Sequence, residues 1–209
     1  EALRELRDTT GETAQLLTRS GRKGVVLEQA SGFHPVKVMG EVGYQVPLYS
    51  CAPGKAILAQ LPEAELKEWL STVTLKKFTP TTRHTRPKLF ADLKETKERG
   101  YAVDLAEGLE GIHCIAAPVL NEYDYPVAAI TVMAPIFRLS ESDFDEFGQH
   151  CIAAAAKIRE RLLSGLMKTL TSHFFQICVH LWKSVFICVD EQGQEHRWAL
   201  MSTDWHRSW

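Results

Sequence analysis

The stretch from Gly100 to Pro118 most constrains the fold, because it combines two apolar strand signals with a polar loop. Tyr101 to Val103 is aromatic and β-branched, and Ile112 to Val119 is apolar enough for a buried strand. Asp104 ends the first predicted strand and Cys114 lies within the second, so both polar groups are expected in an apolar setting. Strand alternation separates the second strand into two faces, one with Ile112, Cys114 and Ala116, the other with His113, Ile115 and Ala117.

A second apolar run, Val127 to Ala134, follows the turn Asn121 to Pro126 and predicts an antiparallel hairpin with the preceding strand. The register depends on where the turn is centred. A centre between residues 122 and 123 predicts two pairs whose four side chains share a face, Cys114 opposite Thr131 and Ile112 opposite Met133.

The N-terminal part predicts a helix end followed by a three-stranded meander. Leu3 and Leu6 lie three residues apart between charges, which is typical of the end of an amphipathic helix. The strands are expected at Glu12 to Leu17, Gly24 to Gln29 and Pro35 to Met39.

Pro53 and Gly54 indicate a turn that leads into a helix from Lys55 to Leu61. The free N–H groups and positive dipole end of a helix start can bind a carboxylate or phosphate. An ordinary capped helix is the alternative, since the glycines of a phosphate loop are missing.

The second half of the chain predicts three further helices. They are expected from Glu63 to Leu70, from Pro87 to a cap at Gly100, and from the capping signature at Ser140 to a point near Ser164. In the last of these, Cys151 lies on the inward stripe and is interpreted as a core residue.

Composition fits one globular domain, or one domain with an appendage, at 209 residues, 45% hydrophobic and 24% charged. The 24 basic and 26 acidic residues leave a net charge of -2, which predicts no general attraction to nucleic acid. No apolar run is long enough to span a membrane, so we expect a cytoplasmic protein without membrane contact. The five cysteines form no CxxC pair, no cofactor motif is present, and the lack of an initiating Met predicts a missing upstream part.

Residues 167–209 differ from the rest in composition. They hold four of the five tryptophans and four of the eight histidines. His173, Cys178 and His180 match no zinc spacing, so an added hairpin, a subunit contact or a readthrough sequence is favoured over a metal site.

Three motifs taken together resemble the effector-binding, C-terminal domain of IclR-family bacterial transcriptional regulators. They are Val46 to Ala59, Gly100 to Asp104 with Glu107, and Gly111 to Pro118, and Thr10 to Thr13 adds a fourth point of likeness. The resemblance implies an α/β (α+β), GAF-like domain with a curved, largely antiparallel sheet flanked by helices. It divides the chain into the end of a linker helix (1–8), the effector-binding domain (9–164) and an atypical C-terminal extension (165–209).

The resemblance also implies a function and a site. The domain is expected to bind a small-molecule effector, an organic acid or sugar acid, to self-associate as a dimer or tetramer, and to control DNA binding by an absent N-terminal helix-turn-helix. The positions that match the ligand-binding residues of the family are Ala52, Pro53, Gly54, Asp104, Cys114, Thr131 and Met133, with an apolar wall from Val38, Val46 and Ile112.

Two of these positions depart from the family pattern. Pro53 has no N–H to offer an anion, and Met133 puts a bulky thioether where a hydroxyl is expected. An apolar or aromatic acid, or a larger sugar acid, is therefore favoured over the smallest 2-oxo acids.

Two alternatives remain beside a non-enzymatic sensor. Cys114 is a potential nucleophile if Asp104 and either His34 or His84 complete a relay, whereas strand alternation excludes His113. A metal-binding sensor would use Asp104, Cys114 and a histidine as ligands.

Overall fold

The computed structural model describes the backbone of residues 1–185 and the side chains of residues 1–164. Two short 3-10 helices in this part are Leu48–Ser50 and Glu141–Asp143. The other elements follow in the order α1 (Ala2–Thr10), β1 (Thr13–Ser20), β2 (Lys23–Ala30), β3 (Gln45–Pro47), α2 (Ala52–Gln60), α3 (Glu63–Thr72), α4 (Arg86–Arg99), β4 (Ala102–Leu105), β5 (Ile112–Leu120), β6 (Pro126–Pro135) and α5 (Phe144–Val185). None of the helices described is long and apolar enough to cross a membrane.

The six strands form one sheet in the order β3-β2-β1-β6-β5-β4, with every neighbouring pair antiparallel. The predicted class, an α/β fold with a curved antiparallel sheet and flanking helices, is confirmed. By its contacts the chain separates after Leu163 into two compact units, and the sheet belongs to the first, Glu1–Leu163. The predicted division into 1–8, 9–164 and 165–209 stays a prediction.

Each face of the sheet has its own apolar core. On the first face, α2, α3 and α4 contribute to a cluster that includes Cys114 and Ala116. On the second face, a separate cluster contains Leu3 of α1, strand residues such as Ile115, and the fully buried Cys151 of α5. The alternation predicted for β5 and the core position of Cys151 are therefore confirmed.

The prediction of a strand from Pro35 to Met39 is wrong, because this segment lies in an irregular loop of residues 31–44 and the third strand is β3. Its carbonyl groups accept hydrogen bonds from side chains rather than from a neighbouring strand. The hydroxyl of Thr13 donates to the Val38 carbonyl at 2.8 Å, and Arg138 donates to the Val36 carbonyl at 2.8 Å. A proline at the start and these side-chain donors favour a loop over a ladder.

The predicted register of the β5-β6 hairpin is wrong by two residues. Cys114 lies opposite Met133, which leaves Thr131 opposite Ala116 and Ile112 opposite Pro135. Half of this difference comes from the turn, which the Leu120–Pro126 pair centres on Tyr123, and half from a one-residue shift of the pairing between Val119 and Leu120. Because side chains alternate with period two, this slip changes the partners and keeps every side chain on its predicted face.

The capping signature of the last helix is confirmed, since Ser140 and Asp143 form a reciprocal capping box ahead of α5. The predicted helix end near Ser164 is wrong, because α5 runs on to Val185. No proline interrupts the sequence there, and a single glycine at 165 is a weak helix breaker. The side chains of His173, Cys178 and His180 lie outside the described residues.

Candidate functional site

A cavity of about 390 Å³ lies on the first face of the sheet, beside the start of α2. Its wall is mainly apolar, and Asp104 is the one charged side chain among the lining residues described. The lining residues are Gln15, Leu17, Val26, Val38, Met39, Gly40, Tyr44, Val46, Pro47, Ser50, Cys51, Pro53, Phe78, Asp104, Gly108, Leu109, Ile112, Cys114 and Met133.

Seven of the ten predicted site residues lie on this wall, namely Val38, Val46, Pro53, Asp104, Ile112, Cys114 and Met133. The topology explains why they meet. Cys114 and Met133 are directly opposed on neighbouring strands, and Asp104 is opposed to Cys114 on the other side. Their part in ligand binding stays a prediction.

Ala52 and Gly54 are not on the cavity wall, because the helix begins earlier than the sequence indicates. Ala52 is already the first residue of α2 and is fully buried. Gly54 packs so closely on Leu48 that an added Cβ would lie 2.2 Å from its carbonyl oxygen. Pro53 has no N–H, and the Lys55 N–H donates to the Cys51 carbonyl at 3.0 Å. The anion site expected at this helix start is therefore largely used up by internal contacts.

Thr131 is also absent from the cavity wall. Its side chain is fully buried, and its hydroxyl donates to the Ile115 carbonyl at 2.9 Å. The register slip places it opposite Ala116, next to the first-face core rather than the cavity. Because this buried hydroxyl already has a hydrogen-bond acceptor in the neighbouring strand, it stabilises the sheet and does not face the cavity.

The sequence analysis missed several wall residues, of which Gln15 is the most informative. Gln15 lies two residues before Leu17 on β1, and both side chains reach the cavity. The sequence signal that could have identified Gln15 is strand alternation, which places its side chain on the same face as the apolar Leu17. Met39, Gly40 and Tyr44 were missed because they belong to the 31–44 loop, of which only Pro35 to Met39 was assigned a structure, and that assignment was a strand.

Gln15 is joined by hydrogen bonds to the 31–44 loop. Its amide nitrogen donates to Gln29 Oε1 at 2.6 Å, and the same oxygen accepts the Gly40 N–H at 2.9 Å. The loop is also held at its Val36 carbonyl, which accepts a hydrogen bond at 2.8 Å from Arg138, and Arg138 is in turn bonded to the buried Glu12. The cavity wall made by this loop is therefore tied to the sheet.

A buried charge cluster lies behind Asp104. Lys55 is fully buried in α2, and its ammonium donates to Asp92 Oδ2 at 2.6 Å and to Glu107 Oε1 at 2.5 Å. Burial alone lowers the pKa of Lys55, but the charges of Asp92 and Glu107 outweigh it and raise that pKa. The cluster thus joins α2, α4 and the loop after β4 through one cation.

Asp104 lies between this cluster and the cavity. Its Oδ1 accepts the Glu107 N–H at 2.6 Å, and Cys114 is the residue directly opposite it on β5. Burial raises the pKa of Asp104 to about 7, although the charge of Lys55 and the Glu107 amide act in the opposite direction. This carboxyl group therefore titrates near neutral pH.

The two cavity thiols are held in the protonated form. Burial raises the pKa of Cys51 to about 12, and burial with the charge of Asp104 raises the pKa of Cys114 well above its ordinary value. A thiol needs a lowered pKa or a base to act as a nucleophile. The histidines are placed elsewhere, with His113 Nδ1 2.8 Å from the Leu139 carbonyl and His84 Nδ1 3.0 Å from the Thr82 carbonyl.

His34, the other candidate relay partner, lies 3.5 Å from Glu12 Oε1 at the base of the 31–44 loop. Within residues 1–164, no three His, Cys, Asp or Glu side chains are grouped as metal ligands would be. Neither a relay nor a ligand set is thus assembled around Cys114 in the part described.

A concave, mostly apolar cavity with a few polar groups is the architecture of a small-molecule-binding domain. Residues 1–160 match the family described as the bacterial transcriptional regulator IclR C-terminal domain. The chain belongs to this family.

Two relatives in Escherichia coli K12 illustrate the similarity. The chain is 32% identical over 158 residues to the transcriptional repressor IclR, covering 75% of this chain and 58% of the relative. It is 35% identical over 147 residues to the HTH-type transcriptional repressor AllR, covering 70% of this chain and 54% of the relative. The chain thus spans a little over half the length of these curated relatives.

Solved structures agree with this assignment. The Thermotoga maritima IclR crystal structure has a TM-score of 0.74 and 35% sequence identity, covering 77% of this chain and 65% of that one. The C-terminal domain of the E. coli regulator KdgR has a TM-score of 0.69 and 30% identity, covering 77% of this chain and 93% of that one.

Proposed function

We propose that this chain is the ligand-sensing part of a transcriptional regulator and that its effector, a small organic acid or sugar acid, binds in the cavity beside α2. The observation that carries the proposal is the convergence of Asp104, Cys114 and Met133 on the wall of one cavity in a chain of this family. Its relatives are named as transcriptional repressors and regulators, which favours a sensor over an enzyme.

The wall limits the class of effector. A volume of about 390 Å³ lies within the range of small-molecule sites. Apolar side chains such as Val46, Phe78 and Ile112 favour a ligand with an apolar or aromatic body, and Met133 reduces the room for polar groups. Gln15, Ser50 and Asp104 offer hydrogen bonds that would orient its polar end.

The regulatory step is proposed to be a shift in population. An effector that binds one arrangement of domains or subunits better than another changes the affinity for DNA by the same coupling free energy. In this proposal the chain self-associates as a dimer or tetramer in the cytoplasm and contacts DNA only through a helix-turn-helix elsewhere in the protein.

Calorimetric titration of the 209-residue chain with a panel of acids tests the proposal. Benzoate, pyruvate and glucuronate cover aromatic, small 2-oxo and sugar acids, and we expect at least one to bind. Val46→Trp should abolish that binding, because its ring fills the cavity. Val42→Trp is the matched control, since Val42 is 63% exposed and is not among the lining residues. Binding that survives Val46→Trp would place the acid elsewhere and overturn the proposal.

A further inference from the structure

The charge around the cavity is unusual for a site that takes up an acid. None of the described lining residues is a lysine, arginine or histidine. The nearest buried cation, Lys55, is fully buried and already donates to Asp92 and Glu107. An anionic ligand would therefore meet no free positive charge on the wall.

The start of α2 does not supply the missing donors. Pro53 lines the cavity without an N–H, Gly54 is not among the described lining residues, and the Lys55 N–H already donates to the Cys51 carbonyl. Gln15 and Ser50 are neutral and are partly used, by Gln29 and by the Pro47 carbonyl. These groups can hydrogen-bond an acid group, but they cannot neutralise it.

The one group able to change the charge of the wall is Asp104. Behind Asp104, the carboxylates of Asp92 and Glu107 already share the ammonium of Lys55. An ionised Asp104 would be a third negative charge beside this single positive charge. The other groups that face it are the Glu107 amide from the loop after β4, the Cys114 thiol from β5 and the Cys51 thiol ahead of α2. Both thiols are neutral, so they do not offset the excess of negative charge.

We infer that an acid effector binds with one proton, which Asp104 takes from solvent and donates as a hydrogen bond to the ligand carboxylate. Two carboxyl groups in contact in a buried site cannot both ionise, so they share one proton. Asp104 is then a specificity-determining residue that admits anions only in its neutral form. This inference rests on the proposed function and adds a proton to the binding equilibrium.

The inference predicts a defined pH dependence. Above the range in which Asp104 titrates, each bound acid takes up close to one proton, so the Kd of the acid should rise towards about tenfold from pH 7.5 to pH 8.5. Below pH 6 the dependence should vanish, because Asp104 is already neutral. An amide of the same acid should show little dependence, since its NH₂ can donate to ionised Asp104 and its carbonyl can accept from neutral Asp104.

The test uses the 209-residue chain and the tightest-binding acid of the panel, with its primary amide as the matched ligand. For benzoate the pair is benzoate and benzamide. Titrations at pH 5.5, 7.5 and 8.5 give the slope, and calorimetry at pH 8 in two buffers of different ionisation enthalpy counts the protons without any variant. We expect close to one proton taken up with the acid and almost none with the amide.

Two variants locate the proton. Asp104→Asn keeps the shape of neutral Asp104 and its acceptor for the Glu107 N–H, so acid binding should become independent of pH. His34→Asn removes the imidazole that lies 3.5 Å from Glu12 Oε1, away from the cavity wall, and should leave the wild-type slope unchanged.

The outcomes separate the inference from the function on which it rests. Acid binding without pH dependence or proton uptake would overturn the inference and keep the proposed function. A slope that persists in Asp104→Asn would also overturn the inference. No acid binding even at pH 5.5, where Asp104 is neutral, would overturn both.

Discussion

The two faces of the sheet are built differently. The second face is packed against α1 and α5 by apolar side chains such as Ile115 and Ile130, both fully buried. The first face packs against α2 but leaves a cavity and buries the ions of Lys55, Asp92 and Glu107. The closed face supplies apolar burial, and the first face can then hold a void and charges that lower stability by themselves.

The largest expected effect comes from removing the cation of the first face. Lys55→Ala leaves the carboxylates of Asp92 and Glu107 buried without the cation that neutralises them, which should lower the free energy of unfolding by roughly 3–5 kcal/mol. Urea denaturation measures the change. Lys67→Ala is the control, because its ion pair with Glu63 is exposed to solvent and should contribute little to stability. Equal effects would show that burial of the pair is unimportant.

The next effect compares two isoleucines of β5. Ile115→Ala opens a void in the closed face and should lower stability by about 3 kcal/mol. Ile112→Ala should lower it by less than half as much, because Ile112 already borders the cavity and is only partly buried. The same denaturation experiment decides, and a larger loss at Ile112 would contradict the contrast between the faces.

A smaller effect is the pH dependence due to Asp104. Its pKa rises from 3.8 to about 7 on folding, so the folded protein binds the proton more tightly than the unfolded chain. The contribution of Asp104 to the free energy of unfolding is therefore largest below about pH 4 and is lost as the pH rises through about 7. Between about pH 5 and about pH 7 the loss should amount to about 2 kcal/mol. Denaturation midpoints of wild type and Asp104→Asn across this range measure it, and the variant should lack this part of the slope. Parallel curves would exclude Asp104 as its source.

The smallest effect concerns the 31–44 loop. Gln29→Ala removes the acceptor of the Gly40 N–H, so exchange of that amide should accelerate by about fivefold, equivalent to about 1 kcal/mol. The Phe33 amide bonds to the Gly11 carbonyl and should keep its rate, which makes it an internal control. Hydrogen exchange followed by NMR gives both rates, and an unchanged Gly40 would mean that Gln29 does not hold the loop.

Predictions from the residue pattern were correct where the feature depends on a single strand or helix. The alternation along β5, the capping box at Ser140 and the inward position of Cys151 all follow from the period of a strand or helix. The same reasoning failed at the β5-β6 register, because an irregularity at Val119 depends on how the turn closes. It also failed for residues 35–39, where distant side chains such as Thr13 and Arg138 satisfy the loop carbonyls.

The sequence by itself determined the family, the α/β class and seven of the nineteen described residues of the cavity wall, because those motifs lie within single elements whose periodicity sets which side chains share a face. The tertiary structure decided the rest. In the structure Ala52, Gly54 and Thr131 do not lie on the cavity wall, whereas Gln15 and residues of the 31–44 loop do. The structure also places Lys55 between Asp92 and Glu107, behind Asp104. The ionisation of Asp104 depends on burial and on charges up to 52 residues apart in the chain, and only packing brings these together.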